Sequence, residues 1–400
     1  GLAGNLAEYQ FEDRTGTIVS GFEVDYNGSP AGYTLDPQEH IVYVSAHDNQ
    51  TLFDISQYKH PTDTSMEDRV RAQNLGIDLT VLSQGVPFLH AGVDMLRSKS
   101  LDRDSYNSGD WFNRLDFTYE DNNWGVGLPV AGKNQDNWPL MQPLLADPAL
   151  DPAPEPPSDP PSEHIVAAAE HTQEMLEIRN SSPLFRLQTA AEVQDLVRFH
   201  NTGPAQIPGL IVMSLGDVAD PYGGDGLAVV LFNAGDEAQS FPVTELVGAV
   251  LDLHPVQAGG TDPIVKASTF ESSTGTFGVP ERTTAVFMLD VTPPVVESAA
   301  TQLTGSNNVG FFEIAFACED NDPEATTVAD LNGIPVENGQ LVRLIENPGK
   351  PWSKWIKGIL NIKAPEFTLT VTCTDRAGNT TTVTTHLEFA TTPGGDIVIE

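Results

Sequence analysis

The hydrophobic pattern of the first 90 residues predicts a strand, a helix and a second strand. Residues 41–46 (IVYVSA) form a short apolar run rich in β-branched residues. Residues 66–84 carry apolar side chains at helical spacing behind an acidic start, and a second apolar run follows at 86–89. Strand, helix and strand within about 50 residues are typical of a βαβ unit, so the pattern predicts a parallel sheet.

A proline-rich segment at 147–162 interrupts this pattern. Residues 147–161 hold seven prolines, which can support neither a helix nor a ladder, so an exposed, semi-rigid insertion is expected. Helical spacing returns at 163–179. From about residue 184 the chain predicts short strands between Gly and Pro turns, and therefore an all-β domain. The clearest strands are 209–215, 226–233 and 283–289.

The last 110 residues or so predict a separate β-unit behind the linker-like stretch 291–295 (VTPPV). Apolar and other residues alternate over 312–318 and again over 367–373, and each run ends in a cysteine in phase with the apolar face. Both Cys318 and Cys373 should therefore point into one core. A disulfide between two sheets of a sandwich is one outcome, and two buried free thiols in a reduced compartment are the other.

Charge and composition narrow the function classes. The chain has 400 residues, 20 Lys and Arg against 56 Asp and Glu, and a formal charge of −36. Such a charge repels phosphate backbones and anionic membranes, but it permits a neutral substrate such as a sugar, or simply a surface adapted to a salty or extracellular medium. No apolar run approaches the roughly 18 residues of a membrane helix. The start at Gly1 has no initiator Met and no basic signal-peptide region, so we expect a piece of a longer protein.

Candidate chemistry begins with the polar cluster after the first predicted strand. We find no nucleophile elbow, Walker loop, dinucleotide fingerprint or zinc helix, and the nine histidines lack metal-ligand spacing. In a parallel α/β barrel, working residues lie where strands end, as His47 and Asp48 do here. Such a pair could bind sugar hydroxyls and stabilise developing positive charge. The alternative is an ordinary strand-end turn with a histidine packed beside it.

A second cluster, RSKSLDRDSYNSGDWFNRLDF at 97–117, follows the next predicted strand. It combines carboxylates, amides and aromatic faces, which suit a carbohydrate because sugars offer hydroxyls and an apolar ring face. Asp110 and Arg114 are four residues apart and could form a purely structural ion pair on one helical turn.

Two long motifs in these regions resemble bacterial pullulanases, the α-1,6-glucan debranching enzymes of the α-amylase superfamily (glycoside hydrolase family 13). They are DYNGSPAGYTLDPQEHIVYVSAHDNQTLFD at 25–54 and LRSKSLDRDSYNSGDWFNRLDFTYEDNNWGVGLP at 96–129. The resemblance runs from about residue 1 to 290 and includes SSPLFRL at 181–187.

The resemblance implies an α/β plus all-β architecture. Residues 1–182 would be the C-terminal part of a (β/α)8 barrel with its seventh and eighth strands, interrupted by the proline-rich insertion. Residues 183–290 would be the β-sandwich domain that follows the barrel. Residues 291–400 look like an appended immunoglobulin-like β-sandwich module.

The resemblance also assigns roles to individual residues. In AHDN (46–49), Asp48 matches the family's third catalytic carboxylate, the transition-state stabiliser. His47 matches the histidine that orients the sugar at the cleavage subsite, and Asn49 is a further candidate for lining the cleft.

The second motif supplies substrate-binding candidates. DWFNR (110–114) resembles the Asp-x-x-Asn-Arg after strand eight, so Asp110 and Arg114 would bind the neighbouring glucose, and Tyr106 would line the cleft. GVPFLHAGVD (85–94) resembles the strand-eight motif, with Asp94 where the wider superfamily usually has Glu.

The activity implied is hydrolysis of α-1,6-glucosidic linkages in pullulan, amylopectin and limit dextrins with retention of configuration. That mechanism needs two carboxylates about 5 Å apart. The family carries its nucleophilic Asp and general-acid Glu on strands four and five, outside this sequence, so we expect the isolated chain to be inactive. The resemblance implies an extracellular or cell-surface location and no required cofactor; calcium often accompanies the family, without assignable ligands here.

A non-catalytic carbohydrate-binding or attachment protein is the alternative function. The segment 343–363 (RLIENPGKPWSKWIKGILNIK) gathers five of the 20 basic residues around Trp352 and Trp355. In an acidic chain this patch could bind a polysaccharide or an acidic partner. A tryptophan pair packed in the sandwich beside solvated lysines would give the same pattern.

Overall fold

The computed structural model describes most of the chain and divides it into two compact units, Gly1–Leu289 and Asp290–Glu400. The described residues are 1–153, 162–222, 226–289, 294–306, 309–320, 325–346, 359–375 and 379–389. Most of the predicted proline-rich insertion (154–161) and most of the basic tryptophan patch (347–358) lie outside them. Within the described residues, no helix has the length and apolar character needed to cross a membrane.

Among the described residues, all α-helices lie in the first unit. They are α1 (Leu52–Lys59), α2 (Met66–Val81), α3 (Ala131–Asn134), α4 (Trp138–Leu145), α5 (Glu163–Ser181), α6 (Ala190–Leu196) and α7 (Pro255–Gly259). The predicted helix 66–84 ends three residues early because Gln84 leaves the helix to form a parallel bridge with Ala3. The α2 start matches its sequence, since the Ser65 side chain accepts a hydrogen bond from the Asp68 amide.

The first unit contains fourteen strands in the described residues. They are β1 (Gln10–Glu12), β2 (Ile18–Ser20), β3 (Asp25–Tyr26), β4 (Ser29–Pro30), β5 (Ile41–Val42), β6 (Val86–Pro87), β7 (Val197–Phe199), β8 (Leu210–Leu215), β9 (Ala228–Asn233), β10 (Gln239–Pro242), β11 (Leu251–Leu253), β12 (Thr269–Glu271), β13 (Thr276–Val279) and β14 (Thr283–Leu289). The predicted parallel pairing is present, as β5 pairs with β6. Both strands are shorter than predicted, although the amides of Val86 and Phe88 donate to the carbonyl oxygens of His40 and Val42.

Two antiparallel sheets form the region after residue 196. The first has the strand order β11-β14-β9-β8-β7 and the second has the order β10-β13-β12. Strand β9 shows why they stack: Val229 and Leu231 face the core between the sheets, whereas Ala228, Val230 and Phe232 face the helices. The prediction of an all-β region from 184 was too simple, because α6 and α7 lie within it.

Helices α2 and α5 cover the outer face of the five-stranded sheet. Ile77 and Val81 of α2 and Ile178 of α5 are fully buried there. Arg179 of α5 is also buried, and its guanidinium donates hydrogen bonds to the carbonyl oxygens of Val81, Ser83 and Gly85. This side chain satisfies carbonyl groups at the end of α2 and in the turn that leads into β6.

A polar cluster lies between α2, α5 and the loop before β12. His171 Nε2 is 2.7 Å from Asp78 Oδ1, and Arg71 donates to Asp262 Oδ2 at 2.9 Å. Burial alone would lower the pKa of His171, but the charge and hydrogen bond of Asp78, with the charges of Glu174 and Asp262, raise that pKa above its ordinary value. The acidic groups around His171 therefore favour its protonated form.

We expect this cluster to make the stability of the first unit depend on pH. A raised folded-state pKa stabilises the fold fully below the unfolded value of about 6.5 and loses this effect as pH rises through the folded-state pKa. The unfolding free energy, measured in urea, should fall as pH rises above about 6.5, and His171→Gln should flatten this part of the curve. An unchanged slope in the variant would contradict the assignment.

The second unit is built from two four-stranded sheets around one core. Its strands are β15 (Val295–Ser306), β16 (Val309–Glu319), β17 (Thr326–Leu331), β18 (Ile334–Pro335), β19 (Leu341–Ile345), β20 (Leu360–Lys363), β21 (Phe367–Thr374) and β22 (Thr380–Leu387). The strand orders are β15-β16-β19-β20 and β18-β17-β21-β22. A disulfide joins Cys318 of β16 to Cys373 of β21, with 6.1 Å between the Cα atoms, and so links the two sheets.

Candidate active site

Two loops meet at the carboxyl ends of β5 and β6. Because the strands are parallel, both chains leave the sheet at the same edge, and the loop after β5 contains residues 43–50. The loop after β6 runs through the short 3-10 helices Val93–Met95, Ser105–Asn107 and Asp110–Asn113. The predicted candidates from both motifs lie on these two loops.

His47 and Asp48 form a solvent-facing pair. His47 Nδ1 lies 3.1 Å from Asp48 Oδ1, and the two side chains are 87% and 81% exposed. Among the described residues, the hydrogen-bond partner of the Asp48 carboxylate is His47. The pair is therefore open to a ligand, and its position depends on the backbone that carries it.

Lys99 binds the backbone on which His47 and Asp48 lie. Its side chain is buried, and Nζ donates to the carbonyl oxygens of His47 at 2.9 Å and of Asn49 at 2.6 Å. The Asn49 amide donates to Arg103 O at 3.0 Å, and Asn49 itself adopts a left-handed conformation with φ of 63°. The peptide units on both sides of Asp48 are thus bonded to the second loop.

Asp54, at the start of α1, fixes Lys99 in turn. Its carboxylate is fully buried and accepts hydrogen bonds from Ser98 Oγ at 2.6 Å and from the Lys99 amide at 2.8 Å. Burial raises the pKa of Asp54 to about 6, although these hydrogen bonds act in the opposite direction. Burial also lowers the pKa of Lys99, which Asp54 counteracts.

His90 and Arg97 form a second charged group on the loop after β6. Arg97 Nη1 donates to Ala91 O at 2.9 Å and lies 3.2 Å from His90 Nε2. Burial, with the charges of Arg97 and Lys99, lowers the pKa of His90 to about 4. His90 is therefore neutral at pH 7 and can accept the hydrogen bond from Arg97.

The remaining predicted site residues lie on the 3-10 helices and are largely exposed. Tyr106 is 84% exposed and Asp110 is also solvent-facing. The predicted structural pair of Asp110 with Arg114 was wrong. Arg114 instead bonds to Asp116 at 3.2 Å and Asp121 at 3.1 Å, because a 3-10 turn does not align residues four apart and extended backbone follows it.

Asp94 lies in a groove of about 520 Å³ between the loop after β6 and α5. Burial raises the pKa of this half-buried carboxyl. In the described part of the chain, no group of three or more His, Cys, Asp or Glu side chains is arranged to hold a metal ion.

Comparison with known proteins identifies one domain of this chain and several relatives. Residues 119–290 match the family described as "Alpha-1,6-glucosidases, pullulanase-type, C-terminal". This chain contains a pullulanase-type C-terminal domain. The chain is 51% identical over 298 residues to pullulanase 1, chloroplastic, of Arabidopsis thaliana, and 37% identical over 297 residues to a pullulanase of Klebsiella pneumoniae.

Solved pullulanase structures agree with this result. The crystal structure of PulA from Klebsiella oxytoca matches with a TM-score of 0.65 and 36% identity over 72% of this chain. A Klebsiella pneumoniae pullulanase complexed with maltotriose matches with a TM-score of 0.66 and 35% identity, also over 72% of this chain. The resemblance to pullulanases read from the motifs is therefore confirmed.

The chain spans only part of these pullulanases. It covers 30% of the Arabidopsis relative, 26% of the Klebsiella pneumoniae relative and 27% of each of the two solved chains. The activity of a whole pullulanase therefore reaches this chain only as a proposal.

Sequence reasoning missed the side chains that support these two loops. Lys99 and Arg97 stood inside the second motif, but nothing in their spacing distinguished a buried cation from a solvated one. Asp54 ended the first motif as one more acidic residue in an acidic chain. The one available signal was the helix start at Thr51, which places Asp54 in the first turn of α1.

Proposed function

We propose that this chain is the C-terminal part of a pullulanase-type debranching enzyme that hydrolyses α-1,6-glucosidic linkages in pullulan, amylopectin and limit dextrins. The observation that carries the proposal is the exposed His47–Asp48 pair at the carboxyl edge of β5 and β6, in a chain with a pullulanase-type domain. The exposed Asp48 carboxylate at this edge is accessible to a neutral glucan, and its hydrogen-bond partner within the described residues is His47.

Asp48 would act as the transition-state stabiliser. Its negative charge would lie near the anomeric carbon as positive charge develops there. His47 would orient the sugar by hydrogen bonds to ring hydroxyls, with its Nδ1 held by Asp48. In a retaining mechanism the nucleophile and the general acid would be two further carboxylates, about 5 Å apart, from the rest of the enzyme.

The second loop would bind the neighbouring glucose units. Tyr106 offers an aromatic face for a sugar ring, and Asp110 offers an acceptor for its hydroxyls. Arg114 is half exposed and keeps donor capacity beside its two aspartate partners. Asn49, on the first loop, would line the cleft beside Asp48.

The proposed domain organisation is that of the resemblance: part of a (β/α)8 barrel at 1–182, a β-sandwich at 183–290 and an immunoglobulin-like module at 291–400. For the barrel, the support is the parallel pair β5–β6, because parallel sheets occur almost only as larger, covered sheets. Tyr43 and Phe88 beside this pair are 58% and 51% exposed, as expected of residues that further strands would cover.

An extracellular or cell-surface location is also part of the proposal. The support is the Cys318–Cys373 disulfide, since disulfides persist in oxidising compartments. The relatives include both a chloroplastic protein and bacterial proteins.

The experiment that tests the function compares the isolated 400-residue chain with the full-length enzyme on pullulan. We expect the full-length enzyme to release reducing sugar whose first-formed anomer is α, detected by NMR. We expect the isolated chain to release none, because Asp48 alone can neither attack nor protonate the glycosidic bond.

Two outcomes would contradict this proposal. Release of reducing sugar by the isolated chain would show that these residues carry a complete catalytic set. A full-length enzyme without activity on α-1,6 linkages, or one that gives the β-anomer first, would remove the proposed reaction.

A further inference from the structure

We infer that Lys99 is a positioning residue for the reaction: its buried ammonium binds the carbonyl groups of His47 and Asn49, the two neighbours of Asp48, and thereby fixes the backbone that carries the Asp48 carboxylate. The inference rests on the proposed function only in what the carboxylate does. The anchoring itself concerns the geometry of residues 47–49.

The contacts of Lys99 distinguish it from an ordinary surface lysine. The side chain is 1% exposed, and Nζ bonds to two carbonyl oxygens two residues apart, those of His47 and Asn49. A buried ammonium without hydrogen-bond acceptors would be strongly destabilising, so these carbonyl groups and Lys99 depend on each other.

The loop has little else to hold it. The side chains of His47, Asp48 and Asn49 are all exposed. Among the described residues, the backbone of this loop also forms a hydrogen bond in which the Asn49 amide donates to Arg103 O. Packing therefore does not fix Asp48, and hydrogen bonds to the second loop do.

Lys99 is itself rigidly placed. Asp54 accepts the Lys99 amide and the hydroxyl of the preceding Ser98, and Asp54 belongs to the helix that begins directly after the Asp48 loop. These contacts form a closed circuit. The backbone of the Asp48 loop accepts hydrogen bonds from Lys99, the Lys99 amide donates to Asp54, and Asp54 lies in the first turn of α1, which follows the loop directly. Such a closed circuit restricts the carboxylate without any side-chain contact to it.

The first test measures amide hydrogen exchange by mass spectrometry in the 400-residue chain. Lys99→Met keeps the length and removes the donors. We expect exchange at the Asn49 amide, followed in the peptide containing residues 47–50, to become at least roughly 10-fold faster, because the opening that breaks its bond to Arg103 O costs less. A peptide from β9 should not change. Lys133→Met, at an exposed lysine, is the matched control and should leave residues 47–50 unaffected.

A second variant covers the case in which Lys99→Met does not fold. Lys99→Gln keeps an amide group with two donor hydrogens in place of the three of the ammonium, and we expect exchange at 47–50 that is faster than in the parent chain. The exchange rate at residues 47–50 is compared with that of Lys133→Met. If a folded Lys99 variant exchanges no faster there than Lys133→Met, the inference is overturned.

The second test uses turnover by the full-length enzyme. A misplaced carboxylate should lower kcat on pullulan by roughly 100-fold in Lys99→Met, with little change in KM, and Lys99→Gln should recover part of kcat. Loss of folded enzyme alone would lower kcat in proportion to a reduced active fraction, which a titration of bound maltotriose would detect. Unchanged kcat would overturn the inference.

The two proposals fail differently. If Lys99→Met loosens residues 47–50 but Asp48→Asn retains near-normal turnover, the proposed function fails and the anchoring stands. If Asp48→Asn loses turnover but Lys99→Met changes neither exchange nor kcat, the anchoring fails and the proposed function stands.

Discussion

Asp48→Asn in the full-length enzyme is expected to lower kcat on pullulan by roughly 10³-fold, the effect of removing one preorganised electrostatic group from a transition state. The substitution keeps the shape of the side chain and removes its charge. Because the carboxylate is 81% exposed and bonds only to His47 among the described residues, the fold does not depend on it. The thermal unfolding temperature should therefore stay unchanged while steady-state turnover collapses.

The matched control is Asp63→Asn, which removes the same charge from an exposed position away from the two loops. It should leave kcat unchanged, so that a change in net charge is excluded as the cause. KM in Asp48→Asn should change little, because the charge acts mainly on the transition state. Near-normal turnover in Asp48→Asn would remove Asp48 from the mechanism.

Removal of the Cys318–Cys373 disulfide should destabilise the second unit by about 4 kcal/mol. The two cysteines are 55 residues apart in sequence, so the crosslink restricts a long loop of the unfolded chain. The variant with both cysteines changed to Ala avoids unpaired hydroxyl groups in the core. Its denaturant midpoint should fall in the transition of the second unit, followed by near-UV circular dichroism.

Two controls separate the crosslink from the side chains. Chemical reduction of the unchanged chain should reproduce most of the loss, and the unfolding transition of the first unit should stay in place under both treatments. A double variant as stable as the oxidised chain would show that the bond contributes nothing to the fold.

The strands and helices that the sequence predicted best are those with a long, regular apolar pattern. Helix α5 extends only two residues beyond its predicted end, and β16 and β21 contain the predicted alternating runs. In these elements the spacing of apolar residues identifies the buried face, because the side-chain period follows from backbone geometry. The two cysteines were placed in the core for the same reason, although their oxidation state stayed open.

The sequence pattern failed to predict features that depend on a neighbouring segment, such as strand length and ion-pair partners. The run 41–46 forms a strand only at Ile41–Val42, since the length of a parallel strand depends on the partner that accepts its hydrogen bonds. The spacing allowed an ion pair of Arg114 with Asp110, but Arg114 bonds to Asp116 and Asp121 after the chain leaves the 3-10 turn.

The sequence by itself determined the alternating and helical elements, the cysteine phase and, through two motifs, the pullulanase resemblance and the candidates His47 and Asp48. The tertiary structure alone decided what holds them. The acceptors of Lys99 are backbone carbonyl groups about 50 residues away, and every residue has such a group. No side-chain identity marks them, so only the packing of the two loops could reveal that a buried lysine supports the exposed carboxylate.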